Sequence, residues 1–489
     1  MEPILLIHGY GSEQGTATSQ RGAASIYGNL ATWLKRTYSS DSVFELDLTR
    51  WISLEDGIGL DDVSRAMDAA LRGPYSHLMS KTFHVIIHST GALVVRNWML
   101  KFAGPNQPIR NLIYLAGANF GSGWADLGNN RLARWGRELF TSSEAGTRIL
   151  NALELGASRT IDLHLSLRGG DASMAARGVR EYVIIGSQPA ARWFERPIRF
   201  AKEDGSDGVV RVSAANLNFC YARFTANSAG QKATVRDVMD LRKLAHLPTD
   251  AVYYDRVEES LPGVDGREVV PLAIPYNTAH SGSDYSVVYG SANREYVEPL
   301  LQTALETTNI NTWRTLARPF ADVTAASREE SKVRGFTDRL ADRGWERPTQ
   351  YDAHAQVVIR LFDEDERPID DYDIYFESEP ADGHVTAISD LIEHKHRNGV
   401  TPNVFMFYLR TEKWDREEEK WKDRFDELKS LTFSIEANEP ETDDIQYVPF
   451  VLPLDQGAIK KWIRHHTTTV MDVYMRRVPS ENVFRIFPA

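Results

Sequence analysis

Six short apolar runs rich in β-branched residues recur along the first part of the chain, separated by stretches with an apolar residue at every third or fourth position. Continuous apolar strands are typical of a parallel sheet that is covered on both faces, and the wider spacing is typical of the covering helices. The predicted strands are ILLIHGYG (4–11), VFELDL (43–48), HVIIHS (84–89), IRNLIYLAG (109–117), REYVIIGS (180–187) and EVVPLAIPY (268–276). This alternation predicts a doubly wound, mostly parallel α/β domain over residues 1–315.

Helices are predicted between these strands, and one connection is far longer than the others. The predicted helices are Gly22–Arg36, Asp61–Leu71, Ala92–Phe102 and Arg294–Leu305. Residues 122–178 stand where two to six residues usually suffice, and they carry helical spacing. We interpret them as an inserted helical lid, whose apolar residues are Trp124, Trp135, Leu139, Phe140, Ile149 and Leu150. A second excursion, roughly 212–265, contains another amphipathic helix.

The pattern changes after about residue 315. A polar helical linker is expected over 316–345, and residues 346–489 carry short alternating strands separated by turn residues. Such strands predict a smaller, β-sandwich-like domain. Within it, EKWDREEEKWKDRFDELKS (412–430) has its large apolar residues at helical spacing, so we expect a helix docked on the sandwich.

Composition narrows the class of protein. The chain has 489 residues, of which 42% are hydrophobic and 25% are charged, and its net charge is −12. An acidic chain without a basic stripe is not expected to bind nucleic acid. Cys220 is the only cysteine, so no disulfide can form within the chain. Neither a leader nor a window with the ~20 apolar residues of a membrane span is seen, so we expect a cytoplasmic protein, with export by a leaderless route left open.

The candidate chemistry begins at FHVIIHSTGALVVRNWM (83–99), where an apolar strand meets a polar turn and then a helix. A serine on such a turn is a useful nucleophile when an imidazole accepts its proton and a carboxylate orients that imidazole. Ser89 lies on this turn, and Gly91 lets the following helix pack closely on the strand. Taken alone, the pattern also fits Ser89 as the N-cap of an ordinary helix.

The pentapeptide Ile-His-Ser-Thr-Gly around Ser89 resembles the nucleophile elbow of the α/β-hydrolase superfamily, and particularly of its lipases. That motif reads G-x-S-x-G, so Ile87 stands here in place of the first glycine. HGYG (8–11) is similar to the lipase oxyanion loop, and LAGANFGSGWADLG is similar to the lipase segment that leads into a lid. The resemblance implies an oxyanion hole formed by the backbone N–H groups of Tyr10 and Thr90.

The same resemblance implies the other two members of a catalytic triad. EDGSDGVVRVSAAN (203–216) is similar to the lipase loop that carries the aspartate, and Asp207 is the matching position, with Asp204 ranked second. His280 follows the last predicted strand of the α/β domain, and the order Ser, Asp, His is the chain order of this superfamily. His246 is the rival histidine, but its place in an amphipathic helix favours a packing role.

The remaining histidines are not expected to take part in chemistry. His88, beside the nucleophile, is expected to point away from it and to hydrogen-bond within the layer between sheet and helix. The pairs His394/His396 and His465/His466 lack further ligands at a recognised spacing, so no metal site is predicted. Neither a phosphate-binding loop nor a dinucleotide fingerprint occurs, and no cofactor is predicted.

Together these residues predict a serine hydrolase of carboxylic esters, of lipase or phospholipase type, that works through an acyl-enzyme on Ser89. The apolar insertion favours a lipase or phospholipase over an esterase for small esters, and the alternative that its apolar residues only pack on the domain stays open. Two alternatives stay open: a catalytically silent binding module with the same fold, and an acyltransferase that uses the same triad. The β-rich domain carries no motif for chemistry, and four roles stay open for it: contact with a membrane surface, with a protein partner or with a second copy of the chain, or stabilisation of the lid alone.

Overall fold

The computed structural model describes residues 2–8, 23–53, 55–104, 106–123, 147–188, 203–244, 247–248, 252–282, 284–340, 348–440 and 442–483. The chain divides into two compact units. The first is formed by Met1–Asn218 and Pro262–Asp352, and the second by Phe219–Leu261 and Ala353–Ala489. Each unit therefore contains two separate pieces of the sequence.

The strands and helices are numbered in chain order. The strands are β1 (Ile4–His8), β2 (Val43–Asp47), β3 (Phe83–His88), β4 (Ile109–Leu115), β5 (Arg180–Ile184), β6 (Cys220–Ala226), β7 (Tyr254–Ser260), β8 (Leu272–Ala273), β9 (His354–Asp363), β10 (Tyr372–Pro380), β11 (Ile392–Arg397), β12 (Val404–Arg410), β13 (Glu412–Asp415), β14 (Lys420–Asp423), β15 (Leu428–Ala437), β16 (Ile445–Tyr447), β17 (Phe450–Asp455), β18 (Thr468–Met475) and β19 (Arg477–Pro479). The helices are α1 (Ala23–Thr37), α2 (Leu60–Arg72), α3 (Ser76–Met79), α4 (Gly91–Lys101), α5 (Thr147–Leu153), α6 (Ser158–Ser166), α7 (Val212–Ala215), α8 (Ser228–Lys232), α9 (Val235–Leu241), α10 (Arg294–Glu306), α11 (Ile310–Thr315), α12 (Ala317–Leu340) and α13 (Gln456–Trp462).

The first unit is built on a parallel sheet with the strand order β2-β1-β3-β4-β5-β8. Every neighbouring pair in this sheet is parallel. All six residues of the central strand β3 are buried, as expected for a strand covered on both faces. The predicted doubly wound α/β fold is thus confirmed, and the carboxyl ends of its strands lie along one edge of the sheet.

The second unit contains a six-stranded sheet, ordered β11-β12-β9-β18-β6-β7, and a three-stranded antiparallel sheet, ordered β10-β15-β17. Apolar residues from both sheets and from α13 form one buried core, which includes Phe224, Val357, Phe433, Phe450 and Trp462. Two sheets around a shared core agree with the predicted β-sandwich-like domain.

The piece 219–261 belongs to this second unit, whereas the sequence placed it in the α/β domain. β6 pairs in parallel with β18, with Thr469 opposite Cys220, and it pairs antiparallel with β7. The buried residues Ala222 and Phe224 lie in the core of the second unit, which is why the piece folds there. The predicted amphipathic helix of the excursion is present as α9.

The predicted helix over 412–430 is wrong. β13 and β14 form a hairpin, in which Trp414 faces Trp421 with ring centroids 4.6 Å apart. Asp415 closes the turn, because its Oδ1 accepts hydrogen bonds from the backbone N–H groups of Glu417 and Glu418. The two tryptophans are seven positions apart, a spacing that fits two turns of a helix and also fits opposite positions of this hairpin.

The two other predicted helical regions are described in part. The expected linker helix exists as α12, but it lies within the first unit, which extends to Asp352. Of the expected lid, α5 and α6 are helical, Ile149 is buried and Leu150 is half-buried, whereas Trp124, Trp135, Leu139 and Phe140 lie outside the described residues. No helix in the described part of the chain is long and apolar enough to cross a membrane.

Candidate active site

Ser89 occupies the sharp turn between β3 and α4. Its backbone has a φ of 55°, which is the left-handed region that residues with side chains rarely adopt. The turn is fixed on both sides, because the Ser89 N–H donates to the carbonyl of Leu115 (3.1 Å) and the N–H of Ala118 donates to the Ser89 carbonyl (3.3 Å). Such strain persists only where the surroundings hold it in place. Ser89 is therefore held on an elbow, and the helix N-cap interpretation does not account for its backbone.

Ile87 is accommodated although a glycine usually stands at its position. Its side chain is fully buried in β3, where it lies opposite Ile7 on one side and Tyr114 on the other. The residue thus contributes to the core of the sheet, and the turn at Ser89 forms with the isoleucine in place.

Asp207 lies in a tight turn that fixes its carboxylate. A bridge between Ser206 and Arg211 closes the turn. Asp207 Oδ1 accepts hydrogen bonds from the N–H groups of Val209 (3.0 Å) and Val210 (2.7 Å), and its side chain is fully shielded from solvent. The second oxygen, Oδ2, is left to face His280. The carboxylate thus has one oxygen for its own turn and one for the imidazole.

His280 joins the aspartate to the serine. Its Nδ1 lies 2.9 Å from Asp207 Oδ2, and its Nε2 lies 3.2 Å from Ser89 Oγ. Because the carboxylate can only accept, Nδ1 carries the proton and Nε2 is free to accept the serine hydroxyl proton. The His280 N–H also donates to the Asp207 carbonyl at 3.1 Å. The structure therefore brings together the three residues Ser89, Asp207 and His280 that the sequence singled out.

The loop that carries His280 passes very close to the end of β5. A Cβ added at Gly186 would lie 1.7 Å from the carbonyl oxygen of Thr278, two residues before the histidine. Beyond it, the Gln188 N–H donates to the same Thr278 carbonyl at 2.9 Å. Only a glycine at position 186 allows this approach, so the sequence around β5 helps to place His280.

The N-terminus of α4 supplies one candidate oxyanion donor. Thr90, the residue after the serine, is buried, and no hydrogen bond within the described ranges uses its backbone N–H. An unused buried N–H at the positive end of a helix is suited to a developing negative charge. Tyr10, the other predicted donor, lies outside the described residues, and its role stays a prediction.

The sequence also named Asp204, His246 and His88 near the candidate triad. Of the two candidate aspartates, Asp207 contacts His280 directly, with its Oδ2 2.9 Å from Nδ1. His246 lies outside the described residues. His88 makes a contact that the sequence did not predict: its Nε2 lies 3.1 Å from the carbonyl oxygen of His280, and the two imidazole rings are 4.6 Å apart. The residue at the carboxyl end of β3 meets the histidine loop there, a contact for which the sequence offers no local signal.

The loop after β4 also belongs to the surroundings of the site. Asn119 Nδ2 donates to the Ala215 carbonyl (2.7 Å), and His164 Nε2 lies 2.5 Å from the Asn119 carbonyl oxygen. Burial, together with the nearby Arg96 guanidinium, holds the pKa of His164 well below its usual value, so this imidazole stays neutral and donates from Nε2. Ser122 Oγ donates to the Val209 carbonyl at 2.6 Å, which ties this loop to the aspartate turn.

Among the residues described, no group of three or more His, Cys, Asp or Glu side chains is clustered as metal ligands would be. The described site consists of a buried acid, an imidazole and a hydroxyl in one hydrogen-bonded line.

A parallel sheet with a serine at a strand-to-helix elbow and the order Ser, Asp, His defines the α/β-hydrolase fold, and the chain has this fold. No protein-family model and no curated protein matches the sequence. Among solved structures, phospholipase PlaB from Legionella pneumophila in complex with thio-NAD is similar, with a TM-score of 0.76 and 21% identity over 100% of this chain and 97% of that chain. A second PlaB structure gives a TM-score of 0.75 with the same identity and coverage. Lipase BlEst2 from Bacillus licheniformis matches at a TM-score of 0.32, with 14% identity over 44% of this chain and 79% of that chain, which is too low to support an argument.

Proposed function

We propose that this protein hydrolyses carboxylic esters of lipids through an acyl-enzyme on Ser89. The observation that carries the proposal is the unbroken line from Asp207 through His280 to Ser89, with separations of 2.9 and 3.2 Å. A structural serine needs neither a strained backbone nor an imidazole that is itself oriented by a buried acid. Both are what nucleophilic catalysis requires.

The reaction follows from these positions. His280 Nε2 accepts the hydroxyl proton while Ser89 Oγ attacks the ester carbonyl, and Asp207 stabilises the imidazolium that forms. The N–H of Thr90 donates to the developing oxyanion, and one such donor is worth roughly 3–4 kcal/mol of barrier. The alcohol leaves with the proton from His280. Water, deprotonated by the same imidazole, then attacks the acyl-enzyme and releases the acid.

The substrate class rests on two observations. The fold likeness to PlaB, which is named a phospholipase, extends over the whole chain, including the second unit. The insertion between β4 and β5 carries apolar residues of which Ile149 is buried, and we propose that the insertion covers the site as a lid. A covered serine suits acyl chains, so we favour a lipase or phospholipase over an esterase of small esters. Contact of the second unit with a membrane or a protein partner stays a prediction.

Labelling with a fluorophosphonate probe tests the nucleophile. We expect the wild-type protein to be labelled at Ser89 and the Ser89→Ala variant to remain unlabelled. Ser64→Ala is the matched control, because Ser64 is a buried serine that bonds to the Leu60 carbonyl in α2. An unlabelled wild-type protein would contradict the proposal and favour the silent binding module.

Turnover then defines the substrate. Esters of p-nitrophenol with rising chain length, tested beside phospholipid vesicles, report the depth and polarity of the acyl site. We expect kcat/KM to rise with chain length and phospholipid to be cleaved. A preference for the shortest esters without phospholipid cleavage would contradict the lipid assignment. Transfer of the acyl group to an added alcohol, with little free acid, would favour the acyltransferase.

A further inference from the structure

The imidazole of His88 contacts the backbone of the histidine at the site. His88 Nε2 lies 3.1 Å from the carbonyl oxygen of His280. The two rings are 4.6 Å apart with an angle of 45° between their planes. Because a carbonyl oxygen can only accept, His88 must carry a proton on Nε2. The proposed mechanism uses His280, Asp207 and Ser89, and it leaves this second imidazole without a role.

The contact matters because regular structure does not fix residue 280. The described residues between β8 and α10 form no helix or strand, apart from an isolated bridge between Ala279 and Ser286. The backbone of His280 itself is held by its N–H, which donates to the Asp207 carbonyl (3.1 Å), and by its carbonyl, which accepts from His88. Both contacts come from the site: one from the acid and one from the residue beside the nucleophile.

These contacts form a closed circuit. His88 and Ser89 are adjacent in the chain, His88 binds the main chain of His280, and the His280 side chain returns to Ser89 Oγ at 3.2 Å. A circuit closed by one covalent neighbour and two hydrogen bonds restricts the position of the imidazole relative to the hydroxyl. A displacement of 1 Å between reacting groups can lower a rate about 100-fold.

We infer that His88 is a positioning residue of the catalytic triad, whose Nε2–H holds the His280 carbonyl and thereby sets the separation of the imidazole from Ser89. The inference rests on the proposed function, since a separation between base and nucleophile matters only if the two react. The role belongs to one donor atom rather than to the ring as a whole. A side chain that restores a donor at the Nε2 position should therefore restore the role.

Three substitutions separate the donor from the ring. His88→Gln places an amide N–H near the Nε2 position, His88→Asn places one near Nδ1, and His88→Phe keeps a ring without a donor. We expect kcat on a p-nitrophenyl ester to fall roughly tenfold or more in the Asn and Phe variants. In the Gln variant, kcat should stay within about threefold of the wild-type value, and KM should change little in all three variants. His84→Gln is the control, because His84 is a buried histidine on the same face of β3, away from the site.

The outcomes decide the inference in both directions. Loss in the Asn and Phe variants with recovery in the Gln variant supports it. Full activity in all three variants overturns the inference. Activity in the Phe variant with loss in the Gln variant also overturns it, because packing of a ring without a donor would then be sufficient. If the variants do not fold, the tautomer of His88 in the wild-type protein decides. A nitrogen-15 NMR spectrum should show the proton on Nε2, and a proton on Nδ1 alone would overturn the inference.

Failure of the inference is distinguishable from failure of the proposed function. If fluorophosphonate labels wild-type Ser89 while the His88 variants retain full activity, the hydrolase stands and the positioning role falls. If wild-type Ser89 is not labelled, the proposed function falls, and the positioning role falls with it.

Discussion

Substitution of Asp207 by Asn tests how the triad is oriented, and the structure predicts which way the amide turns. Oδ1 accepts two backbone N–H groups, at 3.0 and 2.7 Å, whereas Oδ2 accepts one proton from His280. The amide oxygen should keep the first position, because turning it away would lose two hydrogen bonds, about 1–3 kcal/mol together, and would oppose donors to donors. The new NH₂ group then faces His280 Nδ1.

The consequence is a wrong tautomer. His280 must accept at Nδ1 and carry its proton on Nε2, where it can no longer take the proton of Ser89. For triads of this type such a change lowers kcat roughly 10⁴-fold, which corresponds to about 5 kcal/mol of barrier. The buried turn keeps its backbone bonds to the amide oxygen, so we expect the melting temperature and KM to change little.

The assay is kcat on a soluble p-nitrophenyl ester together with the rate of fluorophosphonate labelling. Asp204→Asn is the matched control, because Asp204 precedes a glycine in the same loop and the expected change there is less than about threefold. An Asp207→Asn variant that keeps more than a tenth of the wild-type kcat would refute the reasoning. Equal losses in both variants would refute it as well.

Two further predictions concern the frame around the site. Gly186→Ala should lower the melting temperature and should lower the rate of fluorophosphonate labelling at least tenfold, because the new Cβ would lie 1.7 Å from the Thr278 carbonyl oxygen. Gly169→Ala is the control, because a Cβ there meets nothing within 4 Å. An unchanged melting temperature and labelling rate in Gly186→Ala would contradict this account. Burial lowers the pKa of His84 to about 4. Between about pH 6.5 and pH 4, the unfolded chain therefore binds a proton that the folded chain does not. The free energy of unfolding should fall with falling pH in this range, by up to about 1.4 kcal/mol per pH unit. Urea unfolding should show a smaller fall in the free energy of unfolding between pH 7 and pH 5 for His84→Gln than for the wild-type protein. Identical falls in the two proteins would contradict this role of His84.

Much of the first unit could be predicted because its signals are local. A strand buried on both faces, such as β3, reads as an unbroken apolar run, and its end at the polar turn marks the elbow. The aspartate and histidine followed from short motifs and their order along the chain. The contact of His88 with His280 could not be predicted, because it joins the end of β3 to a loop 192 positions later and depends on how that loop returns to the sheet.

The second unit was predicted in class but not in extent. Tyr221 and Asp472, whose side chains bond at 3.0 Å, are 251 positions apart, and no pattern near either residue indicates that their strands are neighbours. Pairing of such distant parallel strands depends on the completed fold. The hairpin with Trp414 and Trp421 was missed for another reason. The spacing of its apolar residues fits both a helix and a hairpin, and the cross-strand contact of the two rings decides between the two structures.

The place of β6 between β18 and β7 has a consequence for synthesis. A ribosome has made the proposed nucleophile, acid and base by residue 280, but it has not yet made Thr468–Met475, the strand that pairs with one side of β6. Until then, the stretch of chain that joins the acid to the base lacks its final partner. We therefore expect the proposed hydrolysis to start only after β18 has been made, and a premature stop before β18 to abolish it without altering Ser89, Asp207 or His280.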